Sequence, residues 1–111
     1  MLLVCRRDQG EAGISWQFPA GVVKPGMSPD TVAIRETLDE TGVHCIVARR
    51  LGRRLHPVTR VLCDYLLCDY VLGEATNKDP IENVDVLWAT KADLTRLIPP
   101  NQIYTEVFAA I

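Results

Sequence analysis

The chain has 111 residues, of which 48% are apolar, and a formal net charge of −2. This length and apolar content predict one domain, residues 1–111, folded around one core, and they argue against disorder. The slightly acidic balance gives no electrostatic basis for binding a nucleic-acid polymer, and no apolar run approaches the length of a membrane span.

The cysteines indicate a reducing compartment. There is no CxxC spacing, and the apolar run Met1 to Val4 is too short for a signal-peptide core. We therefore expect reduced core thiols in a cytoplasmic protein, at Cys5, Cys45, Cys63 and Cys68. A zinc site is the alternative, which is disfavoured because His44 and His56 form no ligand pattern with the cysteines.

Two strands are predicted first. Leu2 to Cys5 has the composition of a buried strand, and Ile14 to Phe18 can form a short strand that brings Trp16 to the edge of a site. Trp16 has two interpretations of equal weight, namely packing in the core or contact with a substrate base in a cleft. We include Trp16 among the candidate substrate-binding residues.

The stretch from Gly21 to Val43 combines a loop rich in glycine and proline with a helix. Ser28 is a favourable N-cap, Pro29 suits the first helical position, and Gly42 suits a left-handed cap. These residues predict a helix over about Pro29 to Thr41.

Three carboxylates of this helix fall at helical spacing. Glu36, Asp39 and Glu40 stand at i, i+3 and i+4, which puts them on one face where they repel one another. A solvated face is the simplest explanation, but Ile34 and Leu38 on the opposite side can pack into a core. A hard divalent cation with oxygen ligands, Mg²⁺ or Mn²⁺, would relieve the repulsion, so we predict that the three acids bind metal.

The same stretch resembles the Nudix box, G-x5-E-x7-R-E-U-x-E-E-x-G-U, in which U is aliphatic. Gly21 matches the first glycine, and the second half is matched at the required spacing by Arg35, Glu36, Glu40, Gly42 and Val43. The preceding run from Trp16 to Ala20 also resembles the family. This resemblance implies an α/β protein, specifically an α/β/α sandwich with a mixed sheet, that hydrolyses a diphosphate linkage, usually in a nucleotide.

The box departs from the pattern at three positions. Met27 stands where the first glutamate is expected, Asp39 is one methylene shorter than glutamate, and Thr37 replaces an aliphatic residue. Glu36 and Glu40, the positions that most often carry metal in the family, are intact, so we expect metal binding to survive. A catalytically weak or inactive Nudix-like domain that binds nucleotide or regulates, and a domain that keeps only the fold, remain as alternatives.

The resemblance also implies roles outside the acidic helix face. The backbone carbonyl of Ala20 would lie beside the metal, and Arg35 would pair with acidic groups of the box or with substrate. Members of the family often supply an extra carboxylate from a late loop, as ligand or general base. Glu82, or else Asp85, could do this here, with a solvated loop acid as the alternative.

Further elements follow the box. Val61 to Leu72 is apolar on both faces and is predicted to be a central strand between helix layers. The other predicted elements are a strand at His44 to Leu51, a strand at Val84 to Ala89, a helix at Asp93 to Ile98 with Thr90 as N-cap, and a last helix at Gln102 to Ile111.

Arginines between the predicted strands are candidates for phosphate recognition. Most of them are expected to form a solvated basic loop, but the planar guanidinium suits phosphate geometry, and we select Arg53 and Arg54 as substrate-binding candidates. His56 in the same loop is interpreted as a loop residue, because a metal-dependent hydrolysis does not need it as a base.

The beginning of the sequence suggests an open sheet edge. Proteins of the family have a strand before the one predicted at Leu2 to Cys5, and we expect this sequence to lack it. Either the native chain starts earlier, or the edge is filled in another way, for instance by a partner chain. An unpaired edge favours association, so the sequence favours a homodimer.

These observations lead to one functional hypothesis. Mg²⁺ or Mn²⁺ on Glu36, Glu40 and Asp39, with the Ala20 carbonyl, would promote attack of water on a diphosphate, and Glu40 or Glu82 would take the proton. The partner is a small nucleotide, either a nucleoside di- or triphosphate or a derivative. The sequence does not identify which one.

Overall fold

The computed structural model describes residues 1–7 and 13–111. In these residues the elements are β1 (Leu2–Arg7), β2 (Ile14–Gln17), α1 (Pro29–Thr41), β3 (His44–Leu55), β4 (Leu62–Leu72), β5 (Asn83–Trp88), α2 (Lys91–Leu97), a 3₁₀ turn (Pro100–Gln102) and α3 (Thr105–Ala110). None of the helices in this part of the chain is both long and apolar enough to cross a membrane.

β1 is the strand that is buried on both faces. It lies between β2 and β5 in a three-stranded antiparallel sheet, so both of its edges are paired. Successive side chains of a strand point to opposite faces, and Leu3, Val4 and Cys5 are all buried, with at most 2% of their surface exposed. The open edge that we predicted beside this strand is therefore not found at β1.

The prediction for β4 as a central strand was wrong. β4 pairs with β3 in a two-stranded antiparallel sheet, and no other described strand pairs with it. Its last residues are exposed, with 56% of Tyr70 and 55% of Leu72 accessible to solvent. The apolar composition predicted burial on both faces of β4. Helices α1 and α3 contact the β3–β4 hairpin, but they leave the last residues of β4 exposed.

Helix α1 has the predicted bounds and the predicted caps. The Ser28 hydroxyl accepts a hydrogen bond from the Thr31 amide at 3.1 Å, and Gly42 adopts a left-handed conformation with φ of 75°. The Gly42 amide donates to the Leu38 carbonyl at 2.8 Å, which completes the last turn. The caps fix where the helix begins and ends, and so they fix the positions of its acidic residues.

The main core cluster lies between the three-stranded sheet and α2. Thr90 and Asp93 form a capping box at the start of α2, as the predicted N-cap required. The helix then presents Leu94 to the sheet, where Leu3 is fully buried against it. The buried residues of the cluster are Leu3, Ala89, Leu94, Ile98 and Ile103.

The C-terminal region differs from the single helix predicted at Gln102 to Ile111. A 3₁₀ turn ends at Gln102, Ile103 is extended, and α3 begins only at Thr105. Arg54 holds this interruption in place, because its Nη2 donates to the Gln102 carbonyl at 2.6 Å and its Nε donates to the Tyr65 hydroxyl at 3.2 Å. Its guanidinium also lies 5.3 Å from the centre of the Tyr104 ring.

The predicted α/β class is confirmed. All strand pairings in the described residues are antiparallel, whereas the prediction was a mixed sheet. The sheet around β1 carries the core. Helix α1 contacts β3, and its Glu36 and Glu40 side chains face the loop that precedes the helix.

We predict that Arg54→Lys lowers the free energy of unfolding by about 1–3 kcal/mol, because lysine keeps the charge but cannot make the forked contacts. The matched control is Arg53→Lys, whose exposed arginine binds Asp64 at 2.9 and 3.3 Å. An exposed ion pair contributes little to stability because water and salt screen it, so this variant should lose less. Urea unfolding measures both, and equal losses would contradict the anchoring role of Arg54.

Candidate metal and active site

The three predicted metal ligands of α1 differ in exposure. Glu40 is buried with 8% of its surface accessible, Glu36 is half-buried, and Asp39 is exposed. Glu36 and Glu40 are one helical turn apart, which places their side chains next to each other. The acidic face is therefore not a uniformly solvated surface, since its C-terminal acid is almost completely covered.

The loop before the helix covers these two acids. A backbone hydrogen bond from Ala20 reaches the Glu40 carboxylate. At Gly21 an added Cβ would lie 2.2 Å from the Cγ of Glu36 and 2.6 Å from its Cδ, which no side chain could tolerate without displacing Glu36. Glycine is required at this position because the Glu36 side chain passes directly over the backbone.

The electrostatics single out Glu40. Burial, followed by the charge of Glu36, raises the pKa of Glu40 from 4.5 to about 7, while the Ala20 hydrogen bond and the charge of Arg6 act in the opposite direction. Asp79 adds a smaller unfavourable charge. A carboxylate that resists ionisation in this way is stabilised by any cation that approaches it.

Arg6 connects Glu40 to the predicted late carboxylate. The Nη2 atom of Arg6 lies 3.0 Å from Oε2 of Glu82, and the Arg6 charge also acts on Glu40. The Glu82 side chain is 57% exposed. The structure thus brings Glu82 into the neighbourhood of Glu40 through Arg6.

The residues present fit a hard divalent cation. Oε2 of Glu40 is buried and has no hydrogen-bond partner in the described residues, which is costly unless a ligand satisfies it. No group of three His, Cys, Asp or Glu side chains within residues 1–7 and 13–111 is arranged to hold a metal. Magnesium commonly binds through one or two carboxylates and completes its coordination with water and substrate phosphates, so the Glu36–Glu40 pair suffices as its protein anchor.

The predicted substrate-binding residues do not converge on this pair. Trp16 is half-buried and packs against the core cluster, in line with the core interpretation of this residue. Arg35 lies exposed on α1. Arg53 is paired with Asp64, and Arg54 holds the C-terminal turn, so both guanidinium groups have protein partners.

His56 is a loop residue, as we interpreted it. Its Nδ1 accepts hydrogen bonds from the backbone amides of Val58 and Thr59, both at 3.2 Å. Burial, together with the charge of Arg54, lowers the pKa of this histidine. These contacts shape the β3–β4 turn.

Sequence reasoning missed Arg6, Asp79 and Asn83. Arg6 follows the strand predicted at Leu2 to Cys5 and belongs to β1 in the structure, and the other two lie in or beside a polar turn whose position relative to α1 depends on the tertiary fold. The Lys78 amide donates to the Glu40 carbonyl at 3.0 Å, which fixes this turn beside the end of α1. The antiparallel pairing of β1 with β5 brings these three residues near the acids, and the hydrophobic pattern does not encode that pairing.

Two surface hollows in the described part of the chain lie away from the acids. One of about 350 Å³ is lined by Leu87, Trp88, Asp93, Arg96 and Leu97. None of these residues belongs to the Glu36–Glu40 site, and the lining contains no pair of acids. Although a large pocket is the usual first hypothesis for a site, the charge arrangement here favours the acidic pair.

A family comparison agrees with this geometry. The model of the NUDIX domain matches residues 1–110. The chain belongs to the Nudix family. The Nudix box predicted from Gly21 to Val43 is thus the segment that carries the buried acid and the glycine against which its neighbour packs.

Several known proteins are similar to this Nudix chain. A curated relative from Bacillus subtilis (strain 168), named "Putative 8-oxo-dGTP diphosphatase", is 28% identical over 102 residues. The match covers 92% of this chain and 65% of that relative, so the chain spans less than two thirds of the relative's length.

Solved structures share the fold. An ADP-ribose pyrophosphatase from Streptococcus suis 89-1591 superimposes with a TM-score of 0.71 at 22% identity, covering 97% of this chain and 76% of that one. The MutT protein from Methanosarcina mazei Go1 gives 0.70 at 20% identity, covering 96% and 78%. At this level of identity the similarity establishes the fold alone.

The raised pKa of Glu40 predicts an unusual dependence of stability on pH in the metal-free Nudix chain. The folded protein holds this proton more tightly than the unfolded chain, whose pKa is the ordinary 4.5. The stabilisation is complete below the unfolded value and is lost as pH rises through about 7. The loss is on the order of 2–3 kcal/mol.

Glu40→Gln tests this prediction, since glutamine resembles the protonated acid at every pH. In EDTA, the variant should match the wild type at about pH 4, below the unfolded pKa of 4.5, and be more stable at about pH 8, as measured by urea unfolding. The difference between the two proteins removes the contribution of the histidines. An unchanged difference across this range would contradict the burial of a titrating Glu40.

Proposed function

We propose that this protein is a metal-dependent hydrolase that cleaves a diphosphate linkage in a nucleotide. The observation that carries the proposal is the buried, unpartnered Oε2 of Glu40 beside Glu36, with the Ala20–Gly21 backbone packed against both. This arrangement leaves a buried carboxylate oxygen without a hydrogen-bond partner in the described residues, at a place where a cation can bind. Membership of the Nudix family supports the reaction class.

The metal would be Mg²⁺ or Mn²⁺, held by Glu36 and Glu40. Asp39 and the Ala20 carbonyl remain predicted ligands, and Asp39 is exposed enough to act through water. When bound, the cation would neutralise the diphosphate and make a coordinated water more acidic. The protein's own contribution is to keep the two acids adjacent, with Glu40 almost completely buried and Glu36 packed against the backbone of Gly21.

Glu82 is the better of the two candidate general bases. It is exposed, so a proton that it accepts can pass to solvent, whereas the free oxygen of Glu40 is buried and is assigned to the cation. Arg6 holds Glu82 at 3.0 Å and lies near Glu40, which keeps the base beside the reacting region. Glu40 remains the alternative base.

The name of the curated relative supports a class of substrate. That relative is named "Putative 8-oxo-dGTP diphosphatase", and 8-oxo-dGTP is a nucleotide with diphosphate linkages. We propose a nucleoside di- or triphosphate, or a nucleoside diphosphate derivative, as the substrate. Trp16, Arg35, Arg53 and Arg54 remain the candidate substrate residues, although the partners of Arg53 and Arg54 favour structural roles.

A second candidate is a domain that binds nucleotide without cleaving it, as a regulatory module. The departures in the box favour it, since Met27 supplies no charge and Asp39 lies exposed, away from the buried acid. The two functions differ in one outcome: a binding domain returns its nucleotide intact, and an enzyme releases phosphate or pyrophosphate.

We further propose that residues 1–111 form one domain and that the protein works in the cytoplasm. The cysteines show no CxxC spacing, which favours a reducing compartment. The net charge of −2 supports a small anionic ligand carried with its metal rather than a nucleic-acid polymer. A homodimer remains a prediction, for which the outer edge of β4 is a candidate surface.

Glu36→Gln tests the proposed function. With Mg²⁺ present, the wild type should hydrolyse at least one member of a panel that includes dGTP, 8-oxo-dGTP and ADP-ribose. The variant should lose about 100-fold or more in kcat, comparable to removal of a group that stabilises the transition state. Phosphate and pyrophosphate release provide the measurement.

Glu106→Gln is the matched control, because Glu106 is an exposed acid on α3. Its activity should stay within about twofold of the wild type, as expected for a surface change. Full turnover by Glu36→Gln would exclude the assigned metal site. Tight nucleotide binding with no hydrolysis by the wild type would favour the regulatory candidate instead.

A further inference from the structure

Asn83 is a buried polar residue that the family pattern does not explain. Only 1% of its surface is exposed, and neither Oδ1 nor Nδ2 of its side chain has a hydrogen-bond partner in the described residues. A buried amide that is left unpaired destabilises the folded state, because it has lost its hydrogen bonds to water without replacing them. Besides Oε2 of Glu40, these two atoms are the buried side-chain atoms of the described chain that lack a partner.

The strand register places the Asn83 side chain on the same side of the sheet as Arg6. Arg6 and Asn83 are direct partners in the β1–β5 ladder, and residues that face each other in a ladder project to the same face. The charge of Arg6 acts on Glu40, so this face is the one turned towards the end of α1.

Backbone contacts fix Asn83 to the same end of α1. The Asn83 amide donates to the Asp79 carbonyl at 2.9 Å, and Nδ2 of Asn77 donates to the Asn83 carbonyl at 2.9 Å. The same turn is tied to the helix by the bond from the Lys78 amide to the Glu40 carbonyl, at 3.0 Å. The charge of Asp79 reaches Glu40, so one short turn serves both buried polar groups.

We propose that Asn83 is a positioning residue that orients the Glu40 carboxylate through a shared buried water molecule. Buried waters typically make about three hydrogen bonds, and the three unpartnered atoms supply that number. The carboxamide can both donate a hydrogen bond to the water and accept one from it, so it can pair with the water whether or not Glu40 is protonated. This inference rests on the proposed metal site, because it gives Asn83 its effect through Glu40.

As a consequence, the Glu40 carboxylate is held in one orientation, with Oε2 placed to bind the cation. Partners that orient a metal-binding group typically change metal affinity 10- to 100-fold when removed. A purely structural asparagine would instead affect folding alone. Leucine has the same branching but no polar atoms, so Asn83→Leu leaves the buried Glu40 oxygen without its bridged partner and should also lower the urea midpoint, whereas a purely structural role would leave Mn²⁺ affinity unchanged.

The first test is Mn²⁺ binding to metal-free protein without substrate, followed by free Mn²⁺ in electron paramagnetic resonance. Asn83→Leu should bind Mn²⁺ about 10-fold more weakly or worse, and its kcat at saturating Mn²⁺ should also fall. Asn83→Ala provides the same measurement if leucine does not fit. Asn101→Leu, at an exposed asparagine of the 3₁₀ turn, is the matched control and should bind as the wild type does.

Unchanged Mn²⁺ affinity and kcat in both Asn83 variants would overturn the inference while leaving the proposed function intact. A wild type that binds no Mn²⁺ would overturn both. A crystal structure of the metal-free wild type at high resolution is independent of activity: it should contain a water within about 3.2 Å of Glu40 Oε2 and of an Asn83 side-chain atom. A dry contact between Asn83 and apolar side chains there would overturn the inference.

Discussion

The packing of one glycine against one glutamate determines how this site is built. Because Gly21 has no side chain, the loop can cross α1 closely enough for Glu36 to lie on its backbone and for Ala20 to reach Glu40. The acid pair is then held between a helix and a loop. Two like charges kept in this way raise the energy of the metal-free protein, and a cation relieves that cost.

The rest of the fold serves to keep this pair in position. β1 crosses the middle of its sheet with both faces buried, and near its end it carries Arg6, whose guanidinium pairs with Glu82 and whose charge acts on Glu40. The turn before β5 is tied to the last residues of α1 through the Glu40 carbonyl. Glu40, Arg6 and Glu82 thus come from three separate parts of the chain and are brought together by the fold.

Local chemistry made the acidic helix predictable. Ser28, Pro29 and Gly42 fix the bounds of α1 by capping, and helical spacing places Glu36 beside Glu40 whatever surrounds them. The family pattern supplied the fold. The burial of each acid could not be predicted in this way. The sequence does not distinguish Glu40, which is buried, from Asp39, which is exposed, because their burial depends on where the preceding loop lies.

Errors arose where composition was used in place of topology. The run from Val61 to Leu72 is apolar enough for a central strand, but the chain uses it as one arm of a two-stranded hairpin and buries β1 instead. Arg54 has the chemistry to bind phosphate, yet it is engaged by Tyr65, Tyr104 and the Gln102 carbonyl. Arginine suits both roles, and only the three-dimensional neighbours decide between them.

The most direct measurement is a crystal structure of the protein soaked in Mn²⁺, with anomalous scattering used to locate the ion. The account predicts an anomalous peak in contact with Oε2 of Glu40 and a carboxylate oxygen of Glu36, in front of the Ala20–Gly21 backbone. Saturating Mn²⁺ with both carboxylates free of metal, or a peak bound only elsewhere on the protein, would contradict it.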